Sequence, residues 1–112
     1  MGMNDDQHES CGITKALEII GGKWTVLIIR DLLAGPRRFG ELERSLDGIS
    51  PRTLAIRLKE LEREGILERD CTSGPAHPVY KLTDKGCSLQ RILEQMRSWG
   101  EATLANTGSP GA

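Results

Sequence analysis

A mainly α-helical domain carrying one small β-hairpin is the fold class this chain predicts, and three observations predict it. Apolar residues recur at helical spacing in five segments. A Ser50-Pro51 pair opens the fourth of them as a strong helix start. Two short β-prone stretches then flank a linker rich in turn formers. The 112 residues fit one domain, since domains commonly run to about 100–150 residues. A composition of 38% hydrophobic and 28% charged residues is that of an ordinary soluble globular protein.

Taken in order, residues 1–10 predict a flexible acidic tail, with Asp5, Asp6 and Glu9 and no Lys or Arg. Ile13, Ala16, Leu17 and Ile20 form the stripe of a first helix, which Gly21-Gly22 ends. Residues 23–34 are apolar on nearly every side, with Trp24, Leu27, Ile28 and Leu32 on one stripe and Val26, Ile29 and Leu33 on another. That pattern predicts a central, buried helix. Gly35-Pro36 stops it, and Arg37-Arg38-Phe39 leads as a short extended piece into a third helix over residues 40–46. After the Asp47-Gly48 turn, the fourth helix spans residues 50–64 with Leu54, Leu58 and Leu61 facing inward. Residues 66–71 and 79–83 are the strands of the hairpin. Thr83 caps a last helix over residues 84–104, where Leu89, Ile92, Met96 and Trp99 make a seam suited to a partner helix. Residues 105–112 read as a disordered tail. Two helices joined by a short turn and followed by a β-hairpin describe a winged helix-turn-helix.

That architecture points to duplex DNA. The net charge of −1 is no signature of a nucleic-acid binder, but recognition depends on the local field. Residues 37–63 hold seven Lys or Arg against five Asp or Glu, a local +2, while residues 1–10 carry −3. With the leucine stripe against the core, Arg52, Ile56, Lys59 and Arg63 fall on the opposite face of the fourth helix, with Thr53 on its flank. The N-terminal part of such a helix enters the major groove. Arg52 can then bond a guanine in bidentate fashion, Thr53 can touch base edges, and Ile56 can meet a thymine methyl group. The Ser50 hydroxyl and the free amides of the helix start suit a phosphate. Arg37, Arg38 and Lys59 are candidates for positioning phosphate contacts.

The same residues resemble a known family. The motifs G-G-K-W (21–24), R-F-x-E-L (38–42), I-S-x-x-x-L-x-x-R-L-K-E-L (49–61) and Y-x-L-T-x-x-G (80–86) occur jointly in HxlR-type regulators, a branch near the MarR group. The likeness covers about residues 11–99. It implies a winged-helix homodimer formed by the terminal helices, acting on promoters often beside its own gene; read as a repressor, such a symmetric dimer is expected on an operator with two half-sites. Ser50, Arg52, Thr53 and Arg57 fall in the family's reading helix, and residues 66–83 fall in its wing. Two departures stand out. Ile56 occupies a position where relatives commonly carry a polar residue, and the wing tip has no Lys or Arg between Thr72 and Val79.

Three cysteines, Cys11, Cys71 and Cys87, argue against a disulfide framework. Some members of the family sense oxidants, quinones or aldehydes through a cysteine just ahead of the first helix, and Cys11 matches that position, although Gly12 stands where many relatives have proline. A thiol at a helix N-terminus is drawn toward thiolate, which raises its reactivity. The resemblance therefore implies an oxidant or small-molecule effector. Cys71 and Cys87 read as structural, and with His77 their spacing is unsuited to a metal. No cofactor is expected. An enzyme is not expected either, since no histidine is placed as a base and no acid pair or phosphate loop occurs. The competing reading is a winged-helix protein-interaction module without DNA binding, supported by the low net charge and the cation-free wing tip. The start of the chain lacks the basic and apolar regions of a signal peptide, and no apolar run nears the ~20 residues of a membrane span, so the expected place is the cytoplasm.

Overall fold

A computed structural model describes residues 11–107; the two expected tails, residues 1–10 and most of 105–112, lie outside them. Helix α1, Gly12–Ile20, starts at Cys11 and ends where the Gly21 amide donates to the Leu17 carbonyl at 2.8 Å. Only Ile20 of its apolar stripe is buried; Ile13 and Leu17 stand exposed. Helix α2, Lys23–Leu33, is the central one, with Thr25, Ile28, Ile29 and Leu32 buried. Neither expected stripe is wholly enclosed, although Ile28 and Ile29 are fully buried. Val26, Leu27 and Leu33 are half-buried, because they face the last helix across an open cleft.

The short extended piece becomes strand β1, Arg37–Arg38. Helix α3, Phe39–Ser45, follows at once, its Glu41 carboxylate accepting from the Arg38 amide at 2.8 Å. Helix α4, Pro51–Arg63, fills the span read for the fourth helix between its caps Ser50 and Glu64, and Leu54, Leu58 and Leu61 are buried as expected. At Gly65 the backbone turns with φ +76°, a conformation glycine adopts without strain, and the Ile66 amide reaches back to the Leu61 carbonyl at 2.9 Å.

Strands β2, Leu67–Asp70, and β3, Val79–Leu82, form the hairpin. The sheet has three strands, in the order β1-β3-β2, because β1 pairs with β3 antiparallel, Arg37 opposite Tyr80 and Arg38 opposite Val79. Ile28, Ile29, Leu42, Leu46, Leu54, Leu61, Ile66 and Leu67 make the fully buried centre, drawn from α2, α3 with its C-cap, α4 and the start of the wing.

The last helix departs from expectation. It is broken into α5, Asp84–Cys87, and α6, Gln90–Thr107. Ser88 causes the break locally, since its hydroxyl bonds the Lys85 carbonyl at 2.5 Å and offers the backbone an alternative to helix. Packing sets where it falls. The Gly86 backbone is pressed so closely on β2's entry that a Cβ there would stand 2.1 Å from the Ile66 carbonyl oxygen. Leu89 sits in the break and packs on the protomer's own core, so it does not belong to the outward seam read from its spacing. Ile92, Met96 and Trp99 remain outward. The helix runs to Thr107, three residues past the boundary expected for the domain.

Candidate nucleic-acid interface

The start of α4 is held by reciprocal bonding. Ser50 Oγ accepts from the Thr53 amide at 3.0 Å and its hydroxyl donates to Thr53 Oγ1 at 2.9 Å. An N-cap of this kind is worth about 1 kcal/mol. It also fixes Thr53 against the helix start, leaving the Arg52 side chain exposed beside it. Ile56, 43% exposed, and the exposed Lys59 and Arg63 continue the same face. Ser50, Arg52, Thr53, Ile56 and Lys59 are thereby brought together on one side of one helix.

Arg57 is not among them. It is half-buried on the flank of α4 and pairs with Glu60 at 2.8 Å. There it lines a polar cleft of about 330 Å³ with Glu18, Ile19 and Thr25, between α4 and the junction of α1 with α2. Arg38 is exposed on the edge strand β1, whereas Arg37 is half-buried with Nη1 donating to the Pro36 carbonyl at 3.1 Å. Both lie on the sheet and not on α4.

The wing carries more charge than its tip suggests. Lys81 on β3 faces Glu68 at 3.4 Å and Asp70 at 3.9 Å. Asp70 accepts from both the amide and the hydroxyl of Thr72, and these bonds hold its carboxyl below the usual range. Arg69 of β2 is exposed, a cation that sequence reasoning left out because only the strand register places it.

At the other end of the protomer, Cys11 is half-buried at the N-cap of α1. The nearby backbone amides of Thr14 and Ile13 draw its thiol below the ordinary value, ahead of the opposing effect of burial. Exposed apolar side chains concentrate on the same two terminal helices. They are Ile13 and Leu17 on α1, and Ile92, Met96, Trp99 and Leu104 on α6, with Trp99 72% exposed. Ile13, Leu17 and Leu104 lay outside the seam read from spacing, and their exposure in the protomer is what reveals them. Between α2 and α6 lies a cleft of about 560 Å³ lined by Val26, Leu27, Leu33, Leu93, Met96 and Arg30. Among the described residues no helix is long and apolar enough to cross a membrane.

A family model described as HxlR-like helix-turn-helix matches residues 19–107, from the end of α1 through α6. The chain belongs to the HxlR-like family. Its relatives include the uncharacterized HTH-type transcriptional regulator YvaP of Bacillus subtilis, 44% identical over 98 residues, which cover 84% of this chain and 89% of that one. The HTH-type transcriptional regulator YodB of the same organism is 40% identical over 87 residues, covering 77% and 78%. Among solved structures, the redox regulator HypR in its reduced form superposes with a TM-score of 0.77 at 35% identity, over 82% of this chain and 92% of that one. The quinone-bound form of YodB superposes with a TM-score of 0.70 at 38% identity, over 80% and 96%. This HxlR-like chain is thus a winged-helix member of a family of transcription regulators, which are not enzymes.

Proposed function

We propose that this HxlR-like protein is a homodimeric repressor that reads duplex DNA with α4 and is released by oxidants or electrophiles acting at Cys11. The observation that carries the reading is the exposed face of α4, with Arg52, Thr53 and Ile56 at a capped N-terminus and a buried leucine stripe behind. Arg52 and Thr53 take base edges, and Ile56 meets a thymine methyl group. Ser50 with the α4 amides takes a phosphate, as do Arg37, Arg38 and Lys59. Arg57, tied to Glu60, serves to orient the flank of α4 and contacts no base. The exposed apolar residues of α1 and α6 are the dimer surface, and two half-sites about 34 Å apart suit a symmetric pair. On this reading the protein works on DNA in the cytoplasm.

A gel shift on the intergenic DNA beside its gene tests the reading. A retarded band forms at low salt and fades steeply as salt rises, because bound cations release counterions from the duplex. No band on any flanking promoter at low salt overturns it. Alanine at both Arg52 and Thr53 abolishes sequence preference. A protein-interaction module would bind its partner regardless.

Cys11 is supported as the sensor by its place at the N-cap of α1 with a lowered pKa, and by the resemblance to family members that sense oxidants through a cysteine just ahead of the first helix. A folded-state pKa below the free value keeps thiolate present at pH values where free cysteine is protonated. Alkylation by iodoacetamide therefore starts at lower pH than for free cysteine. A thiolate adds directly to a quinone ring. Alternatively, two thiols from two protomers give up two electrons and two protons to diamide and join as a disulfide. Either reagent releases the wild type from DNA and leaves Cys11→Ser bound, while a Cys71→Ser, Cys87→Ser double variant still responds. An equal response by Cys11→Ser removes Cys11 from the role.

A further inference from the structure

The C-terminal end of α4 is poorly provided for by its own sequence. A helix dipole puts partial negative charge at that end, where cations stabilise and carboxylates do not. The last turn of α4 brings Glu60, Glu62 and the C-cap Glu64 there, against Arg63 as its basic residue. The final carbonyls of a helix also lack partners within it. Three of them are met by the backbone that follows. Glu60 accepts from the Glu64 amide at 3.0 Å, Leu61 from the Ile66 amide at 2.9 Å and Glu62 from the Gly65 amide at 3.0 Å. The Glu64 carbonyl has no backbone donor among the described residues.

Its partner comes from α5. Lys85 Nζ donates to the Glu64 carbonyl at 2.8 Å, and the Lys85 stem lies over Gly65, with Cδ 3.9 Å from where a β-carbon would stand. Thr83, the N-cap of α5, shares its hydroxyl between the next two carbonyls, Gly65 at 2.5 Å and Ile66 at 3.1 Å. Its amide donates to the Ile66 carbonyl as well, at 3.0 Å. Three successive carbonyls at the exit of α4 are thus held by two residues at the entry of the terminal helices. Lys85 forms no ion pair among the described residues, so its charge is directed at this acidic helix end.

We propose that Lys85, with Thr83, is a positioning residue for DNA reading: it ties the C-terminal end of α4 to α5 and so fixes the slide and roll of the helix whose other end enters the groove. The inference rests on α4 being the DNA-reading helix. The stripe of Leu54, Leu58 and Leu61 sets how deep α4 sits, but apolar contact is non-directional and leaves a helix small freedoms along and about its axis. Hydrogen bonds are directional and remove them. Ser50 supplies such bonds at the start of α4, and Lys85 and Thr83 supply them at its end. Recognition geometry must be held to within about 0.5 Å. Lys85 itself stands at the end of α4 away from the groove, so it acts through the helix and not on the duplex.

The test measures affinity against salt for the full-length protein on the intergenic DNA and on a random duplex of equal length. It is run at a temperature where thermal melts show each variant folded. Lys85→Met keeps most of the stem and removes the donor. It weakens binding to the intergenic DNA about tenfold, the worth of one bidentate base contact, and leaves the random duplex and both salt slopes unchanged. Lys85→Arg, which keeps a cation and a donor, retains the preference. The amide nitrogen resonance of Gly65, whose peptide bond contains the accepting carbonyl, shifts in Lys85→Met, and an unmoved resonance overturns the tie. A lower melting temperature with the preference intact makes Lys85 a stabilising residue only, which overturns the positioning role while the α4 reading stands. An equal loss on both duplexes, with a salt slope lower by about one, makes it a phosphate contact and overturns the role as well. If the wild type shows no preference between the duplexes, the α4 reading falls and this inference falls with it.

Discussion

Glutamate at both Met96 and Trp99 splits the protein into monomers and weakens binding to a two-half-site operator by about 10²- to 10⁴-fold, the gain that linked binding units normally bring. The expectation follows from where α6 puts its apolar residues. Ile92, Met96 and Trp99 are spaced three to four residues apart, so they share one face, while Leu93 beside them is buried in the core. One protomer thus holds α6 from one side and leaves a large aromatic on the other with nothing over it. A buried tryptophan at an interface commonly contributes 2 kcal/mol or more on the order of a hot spot, and a carboxylate in its place must be desolvated without a partner. Sedimentation reads the mass, and gel shifts on whole and half operators read the affinity. A double variant that stays dimeric places the interface elsewhere.

Gly86→Ala should be the costliest small substitution in the described chain. The new Cβ would stand 2.1 Å from the Ile66 carbonyl oxygen and 2.9 Å from Leu82 Cδ2. The first of these is backbone and cannot swing aside. That carbonyl also accepts from the Thr83 amide at 3.0 Å, and the Thr83 hydroxyl lies between it and the Gly86 amide. Moving it therefore disturbs the cap of α5 as well. A loss of about 3 kcal/mol is expected, a large share of the roughly 5–15 kcal/mol typical of a domain. Urea unfolding followed by circular dichroism reads it as a lower midpoint with an unchanged slope. An unshifted midpoint would mean that the strand and helix separate without cost.

The fold was legible where local chemistry and tertiary packing agree. Ser50-Pro51 and the leucine stripe place α4 because capping, proline geometry and burial all favour the same boundaries. The two expected strands are found within a residue or two of their predicted ends. What was illegible depends on contacts distant in sequence. Two residues, Arg37 and Arg38, carry no periodicity, so nothing local says that they pair with β3. The break at Ser88 is set by the close approach of Gly86 to Ile66, twenty positions away, and it turns Leu89 from seam to core. Arg57 looks like any other reading-helix cation until its Glu60 partner and the neighbouring α1 residues are in place. Arg69 becomes visible only once the register sets it opposite Tyr80.

The two-residue interruption between α5 and α6 has a mechanical meaning. An 18-residue helix is about 27 Å long. Tilted by about 5° at its start, such a rod carries its far end through about 2 Å. The wing is anchored to α5 through Gly86, while the outward face of α6 is the surface given to a second protomer in the proposed dimer. In such a dimer Ser88 and Leu89 are the fulcrum of a lever, and the angle set at these two residues governs the distance between the two α4 helices.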